Sequence, residues 1–134
     1  MHHKKTFSVS LILLYTCLTS LPADKPNVVL MFIDDMGYGD IGPFGNTVNQ
    51  TPNLDRMAQE GNRLTQYYTS NTACTPSRAA LMTGTYAVRI GMDGTVCFPN
   101  EKRGLNPTEL TIGDAMKSVG YRTGIFGKWH LGEY

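Results

Sequence analysis

Asn27-Val28-Val29-Leu30-Met31-Phe32-Ile33 is a continuous apolar run that ends abruptly at Asp34-Asp35-Met36-Gly37-Tyr38-Gly39-Asp40. Such a run suits a strand buried on both faces of a mostly parallel sheet. The acidic, glycine-rich segment then sits at the carboxyl end of that strand, where open α/β sheets present their ligands. Further along, Thr51-Pro52 followed by residues 53–59 and Gly61 has the grammar of a helix, with Thr51 as N-cap and Gly61 past its end; Leu54, Met57 and Ala58 share its apolar face. Arg63 to Thr69 alternates weakly and is a strand candidate, and Pro76 to Met82 is a short helix closed by Gly84. Thr111 to Val119 repeats the helix pattern, with Asp114 three residues after its cap and Gly120 as its stop, and Tyr121 to Phe126 is a further strand candidate. Asn71 to Pro76 and Gly91 to Pro107 are expected as loops. Helix and strand alternate as they do in a layered α/β protein.

Composition narrows the class. The 134 residues are 41% hydrophobic, enough for a core, and twelve Lys plus Arg against eleven Asp plus Glu give a net charge of +1. The basic residues are scattered, so no nucleic-acid surface is expected. No Gly-x-Y period, heptad or internal repeat is present, which excludes collagen, coiled coil and solenoid.

The amino terminus has the pattern of a secretory signal peptide over residues 1–23, with Lys4 and Lys5 before the uncharged apolar run from Phe7 to Leu18. That run is too short to cross a bilayer, which takes roughly 18 to 20 apolar residues, and no other segment approaches that length. Export is therefore expected, to the lysosome, the extracellular space or the periplasm. Without residues 1–23 the chain keeps one histidine, His130, and two cysteines, Cys74 and Cys97. In an exported chain the plain expectation for those cysteines is one disulfide. Asn49-Gln50-Thr51 is a glycosylation sequon weakened by the Pro52 that follows.

Three islands carry chemistry. Asp34 and Asp35 are adjacent carboxylates that repel unless a cation neutralises them, and hard divalent ions take such oxygen ligands; the same residues are also ordinary turn formers. Cys74-Thr75-Pro76-Ser77-Arg78 places a cysteine in the positive field at the start of a helix, which favours anions and activated nucleophiles, with Arg78 one turn on and able to fork two oxygens of an oxyanion. Gly127-Lys128-Trp129-His130-Leu131-Gly132 follows the last strand candidate, and period-two alternation there puts Lys128 and His130 on one face. A fixed cation is thereby paired with a group that titrates near neutrality.

Together and in this order, Pro26 to Val29, Asp34 to Asp40, Cys74 to Arg78 with Ala79-Ala80-Leu81-Met82-Thr83-Gly84, and Gly127 to His130 resemble the amino-terminal part of the sulfatase family. The branch most like it is the arylsulfatase A and N-acetylgalactosamine-6-sulfatase group, and the resemblance covers nearly all of residues 26–132. It implies an alkaline-phosphatase-like fold, a mostly parallel central sheet flanked by helices, with residues 24–134 as an incomplete amino-terminal portion of the catalytic domain. It also implies that Asp34 and Asp35 ligate calcium, together with an oxygen on residue 74, and that Cys74 is converted to formylglycine by the formylglycine-generating enzyme. Arg78 would stabilise the modified residue, while Lys128 and His130 contact it and a sulfate ester. In such an enzyme one hydroxyl of the hydrated aldehyde attacks sulfur, the alcohol leaves, and deprotonation of the second hydroxyl expels sulfate.

The remaining calcium and pocket ligands of the family lie downstream of Gly-Lys-Trp-His, so the chain is expected to be a fragment, inactive alone and marginally folded. Two other expectations stand beside the sulfatase. One is a phosphate or phosphonate ester hydrolase of the same superfamily, against which the intact Cys-x-Pro-Ser-Arg argues. The other is a non-catalytic secreted module with a Cys74 to Cys97 disulfide.

Overall fold

The computed structural model describes residues 24–94 and 96–132. The expected signal peptide, residues 1–23 with Cys17, lies outside the described residues. The chain divides into one unit ending at Ile33 and a second beginning at Asp34. Among the described residues no helix is long and apolar enough to cross a membrane.

In the first unit, residues 24–33 are without regular structure, and the apolar side chains from Val28 to Ile33 are exposed, Val29 to 81%. The expected buried strand over residues 27–33 is not formed as a ladder. A parallel strand is stable only with hydrogen-bonded neighbours and layers over its faces. Among the described residues the one ladder contact outside helices is an antiparallel bridge between Gly104 and Gly132. The central sheet is therefore absent from the described residues, and the strand candidates at 63–69 and 121–126 likewise form no ladder there. The first of these is interrupted by a turn at Thr65 and Gln66, as its weak alternation allows.

The second unit is built on three helices, α1 (Pro52–Glu60), α2 (Cys74–Thr83) and α3 (Ile112–Ser118), with 3-10 turns at Tyr38–Asp40, Gly42–Phe44 and Ala87–Ile90. α1 begins and ends where Thr51 and Gly61 predict, and Leu54 and Ala58 are half-buried while Met57 is exposed. The Thr51 hydroxyl does not cap its own helix. It accepts from the Gly42 N–H at 2.9 Å and donates to Asp55 Oδ1 at 3.2 Å, tying the preceding turn to the first turn of α1. α3 has the expected capping box: the Thr111 hydroxyl accepts from the Asp114 N–H at 3.3 Å and the Asp114 carboxylate from the Thr111 N–H at 3.0 Å. The Thr111 hydroxyl and backbone hold the Asp114 carboxyl below its ordinary value.

α2 is the central element. It starts two residues earlier than expected, so Cys74 and Thr75 belong to its first turn rather than to the loop before it, and it ends on the left-handed Gly84. Thr75, Pro76, Ser77 and Ala79 are buried along it. Ala79 joins Ala87, Met92, Cys97, Leu105 and Leu131 in one apolar cluster, with Met82 and Ile90 against it. Sequence-distant loops thus close over the inner face of a single helix.

Candidate active site

The start of α2 is shaped by the residues just before it. Asn71 accepts from the Ala73 N–H through Oδ1 at 3.0 Å, and its carbonyl accepts from the Ser77 hydroxyl at 2.5 Å. Ala73 is the N-cap and provides no side-chain oxygen, so the first N–H groups of the helix have no side-chain cap. A helix amino terminus in that condition favours an anion or a developing negative charge beside Cys74. Cys74 is half-buried and Cys97 is buried, and both thiols are free. The alternative of a Cys74 to Cys97 disulfide is therefore corrected: Cys97 belongs to the apolar cluster and its N–H is bonded to Thr75.

Arg78, one turn into α2, donates to Asp34 Oδ1 at 3.2 Å and to the Lys128 carbonyl at 2.7 Å. Lys128 Nζ donates to the other oxygen of the same carboxylate at 2.6 Å. Three residues from three separate islands thus meet. The Asp34 carboxyl is held below its ordinary value of 3.8, first by Lys128 and then by Arg78. Lys128 is raised above 10.5, first by Asp34, and a negative charge at Cys74 acts in the same direction.

The segment carrying Lys128 and His130 is not an alternating strand. Gly127 and His130 both have positive φ, 100° and 55°, which breaks period-two register. Its carbonyls are instead taken one by one: Lys128 O by Arg78, His130 O by the Thr75 hydroxyl at 2.8 Å, and Leu131 O by the Leu105 N–H at 2.9 Å. The expectation that alternation sets Lys128 and His130 on one face is corrected for that reason. Lys128 joins the charged cluster, and His130 is secured by its backbone to the residue after Cys74. Nδ1 of His130 is shielded from solvent and has no hydrogen-bond partner among the described residues, an unsatisfied buried atom in a ring held next to the first turn of α2.

Asp35 has φ 54° and is exposed, and its carboxylate makes no ion pair among the described residues. No group of three or more acidic, His or Cys side chains is placed to hold a metal among the described residues. Asp34 and Asp35 offer hard oxygen donors, but both oxygens of Asp34 accept from Arg78 and Lys128, and two carboxylates fall short of the about six to eight oxygens that calcium takes. Sequence reasoning missed Thr75 and Asn71, which carry no charge. The one available signal was a hydroxyl residue in the first turn of a helix.

A family model described as Sulfatase matches residues 26–134. Arylsulfatase A of Homo sapiens is 49% identical over 110 residues, which cover 82% of this chain and 22% of that protein. An arylsulfatase of Hemicentrotus pulcherrimus is 50% identical over 113 residues, 83% of this chain and 20% of that protein. The steryl-sulfatase of Rattus norvegicus is 47% identical over 116 residues, again 83% and 20%. The chain spans about a fifth of the length of these curated relatives. With the family pattern running from Pro26 onward through every residue of the cluster just described, this chain belongs to the Sulfatase family.

Proposed function

We propose that the protein is a sulfuric ester hydrolase, that residues 24–134 form the amino-terminal portion of its catalytic domain, and that Cys74, Arg78, Lys128 and His130 are catalytic residues. The observation that carries this reading is the meeting of Asp34, Arg78 and Lys128 beside the start of α2, where Cys74 is the first helical residue. A sulfate ester develops negative charge on its oxygens as sulfur is attacked, and fixed cations and uncapped helix N–H groups stabilise that charge without reorganising. Arg78 is oriented by its bond to the Lys128 carbonyl and presents a planar fork. Lys128 supplies a point charge from the opposite side of the same carboxylate.

The modified residue is the reason for a cysteine at this position. When formed, formylglycine provides as its hydrate both the attacking hydroxyl and a second hydroxyl through which sulfate is released. Its maturation requires the formylglycine-generating enzyme. The imidazole of His130, tied through its backbone to the residue after Cys74, would handle the proton shared with a reacting oxygen. Asp34 and Asp35, with an oxygen of residue 74, would hold calcium, whose positive charge adds to the electrostatic stabilisation of the ester oxygens. Transit through the secretory pathway accords with the pattern of residues 1–23.

Mass spectrometry of the peptide containing residue 74, on protein made in a host with the formylglycine-generating enzyme, tests the reading. Conversion lowers the peptide mass by about 18 Da. Converted protein that cleaves an aryl sulfate and leaves the matching aryl phosphate intact supports a sulfatase. An unconverted thiol, or preference for the phosphate, rejects it.

A further inference from the structure

We propose that Thr75 is a positioning residue for His130: its buried hydroxyl fixes the His130 backbone in a left-handed conformation against the first turn of α2 while anchoring the loop that carries Cys97. Thr75 is fully buried. Its hydroxyl donates to the His130 carbonyl at 2.8 Å and accepts from the Cys97 N–H at 3.0 Å, joining segments 55 and 22 positions away. A hydroxyl has one proton to give, and here that proton goes to His130.

His130 needs such an anchor. A φ of 55° is uncommon for a residue with a Cβ and persists where the surroundings hold it. On one side Arg78 holds the Lys128 carbonyl; on the other Leu131 is buried and its carbonyl accepts from the Leu105 N–H. Thr75 supplies the contact between them, at His130 itself. Valine has nearly the shape of threonine but leaves the His130 carbonyl and the Cys97 N–H without their partner, a loss that costs more in a buried site than the bond contributes. Lys128 keeps its bonds to Asp34 and Arg78 in that variant, so substrate binding by the two cations is expected to survive while the ring of His130 shifts.

The catalytic consequence rests on the sulfatase reading; the two hydrogen bonds do not. Amide exchange and ring resonances are therefore measured beside turnover, on the protein at its full natural length, as wild type, Thr75→Val and Thr75→Ser. The Cys97 amide is expected to be protected in wild type and Thr75→Ser and to exchange freely in Thr75→Val. The nitrogen-15 ring resonances of His130 are expected to move only in Thr75→Val. With an aryl sulfate, and with rates divided by the fraction of residue 74 converted, Thr75→Val should lower kcat about tenfold or more and change KM by less than about threefold, because a small misplacement of a reacting group costs rate more than binding. Thr75→Ser should restore most of kcat.

Free exchange of the Cys97 amide in wild type overturns the proposal whether or not Thr75→Val folds. So do unmoved His130 resonances or a wild-type kcat in Thr75→Val. A fully converted wild type that cleaves no sulfate ester overturns the sulfatase reading instead, and the resonances and exchange still decide the role of Thr75.

Discussion

Lys128 Nζ lies 2.6 Å from Oδ2 of Asp34, a residue 94 positions earlier in the chain, and Arg78 takes the other oxygen of that carboxylate at 3.2 Å. One carboxylate therefore bridges two cations and offsets their mutual repulsion. Its lowered pKa keeps it charged until the pH falls through a value below 3.8, so its contribution is present above that ordinary value and is lost on further acidification. Lys128 runs the other way: raised above 10.5, its contribution is present below that value and is lost as the pH rises through the shifted one. The bridge is expected to persist from about pH 4 to about pH 10. Carbon-13 titration of Asp34 should give a midpoint below 3.8, moved up more by Lys128→Gln than by Arg78→Gln, since Lys128 is the larger cause. Both side chains of the closer pair are well exposed, so salt near 1 M should shrink the shift. A midpoint at the ordinary value in low salt would show that the bridge does not form in solution.

Much of this cluster was legible in the sequence because charge and helix grammar are local signals. Thr111 with Asp114, and Thr51-Pro52 with Gly61, announce their helices within a few residues. Asp34, Arg78 and Lys128 are conspicuous by charge, but that they meet around one carboxylate is seen only in the fold. The sheet was not legible in the same way: Asn27 to Ile33 has the composition of a buried strand, but whether it pairs depends on neighbours that composition does not contain, and here it is exposed. Lys128 and His130 failed the alternation argument because α2 donors take their carbonyls and two positive φ values break the register. Thr75 carries no charge, so only the fold shows that it touches His130.

Cys74→Ala, in the protein at its full natural length, should abolish sulfate ester hydrolysis while leaving the thermal transition nearly unchanged. Cys74 is only half-buried and makes no disulfide, so the substitution removes little packing. Cys74→Ser, left unconverted, should at most trap a sulfated serine after one turnover, because a plain alcohol has no second hydroxyl with which to expel sulfate. Repeated turnover by unconverted Cys74→Ser protein, read by sulfate release per mole, would remove formylglycine from the mechanism.

Asp35→Asn should weaken calcium binding and activity together, by about tenfold or more in each, since it removes a charge and almost no volume. Asp35 is suited to this test because it makes no ion pair among the described residues, so its loss leaves the bond between Asp34 and Lys128 in place. Calorimetric titration of chelated protein with calcium reads the affinity, and the Asp34 midpoint checks that the bridge survives. Unchanged affinity with unchanged activity would reduce Asp34-Asp35 to a turn.

Residues 24–134 produced alone are expected to be inactive and to associate. The apolar side chains of residues 28–31, together with Ile125 and Phe126, stand more than half exposed, Phe126 to 97%, and carry no ladder that would occupy their backbone groups. Unpaired extended segments with apolar side chains are templates for association between copies. Strong binding of a hydrophobic dye and light scattering that rises with concentration are the expected results. A monomer with a cooperative transition and calcium-dependent cleavage of an aryl sulfate would contradict this.

Gly132→Ala should destabilise the protein well beyond the usual cost of a side chain at positive φ. Gly132 has φ 79°, and a Cβ there would collide with the Arg103 carbonyl oxygen and come within 2.5 Å of the Gly104 Cα, across the one antiparallel bridge among the described residues. Both obstacles are backbone, so neither can rotate away. Gly91→Ala is the control, because Gly91 also has positive φ, 66°, but nothing lies within 4 Å of its Cβ position. The control carries only the left-handed penalty, about 1–2 kcal/mol. Gly132→Ala carries that penalty and also forces residues 103–104 and 132 apart, which loosens Leu131 from the Leu105 N–H and, next to it, His130 from Thr75. Denaturant melts should place Gly132→Ala below Gly91→Ala by about 1 kcal/mol or more. If the sulfatase reading holds, turnover should also fall in Gly132→Ala and stay near wild type in Gly91→Ala. Equal melts for the two variants would mean that residues 103–104 and 132 do not approach one another, and with that the carbonyl-by-carbonyl anchoring of the segment from Lys128 to Leu131 would lose its outer support.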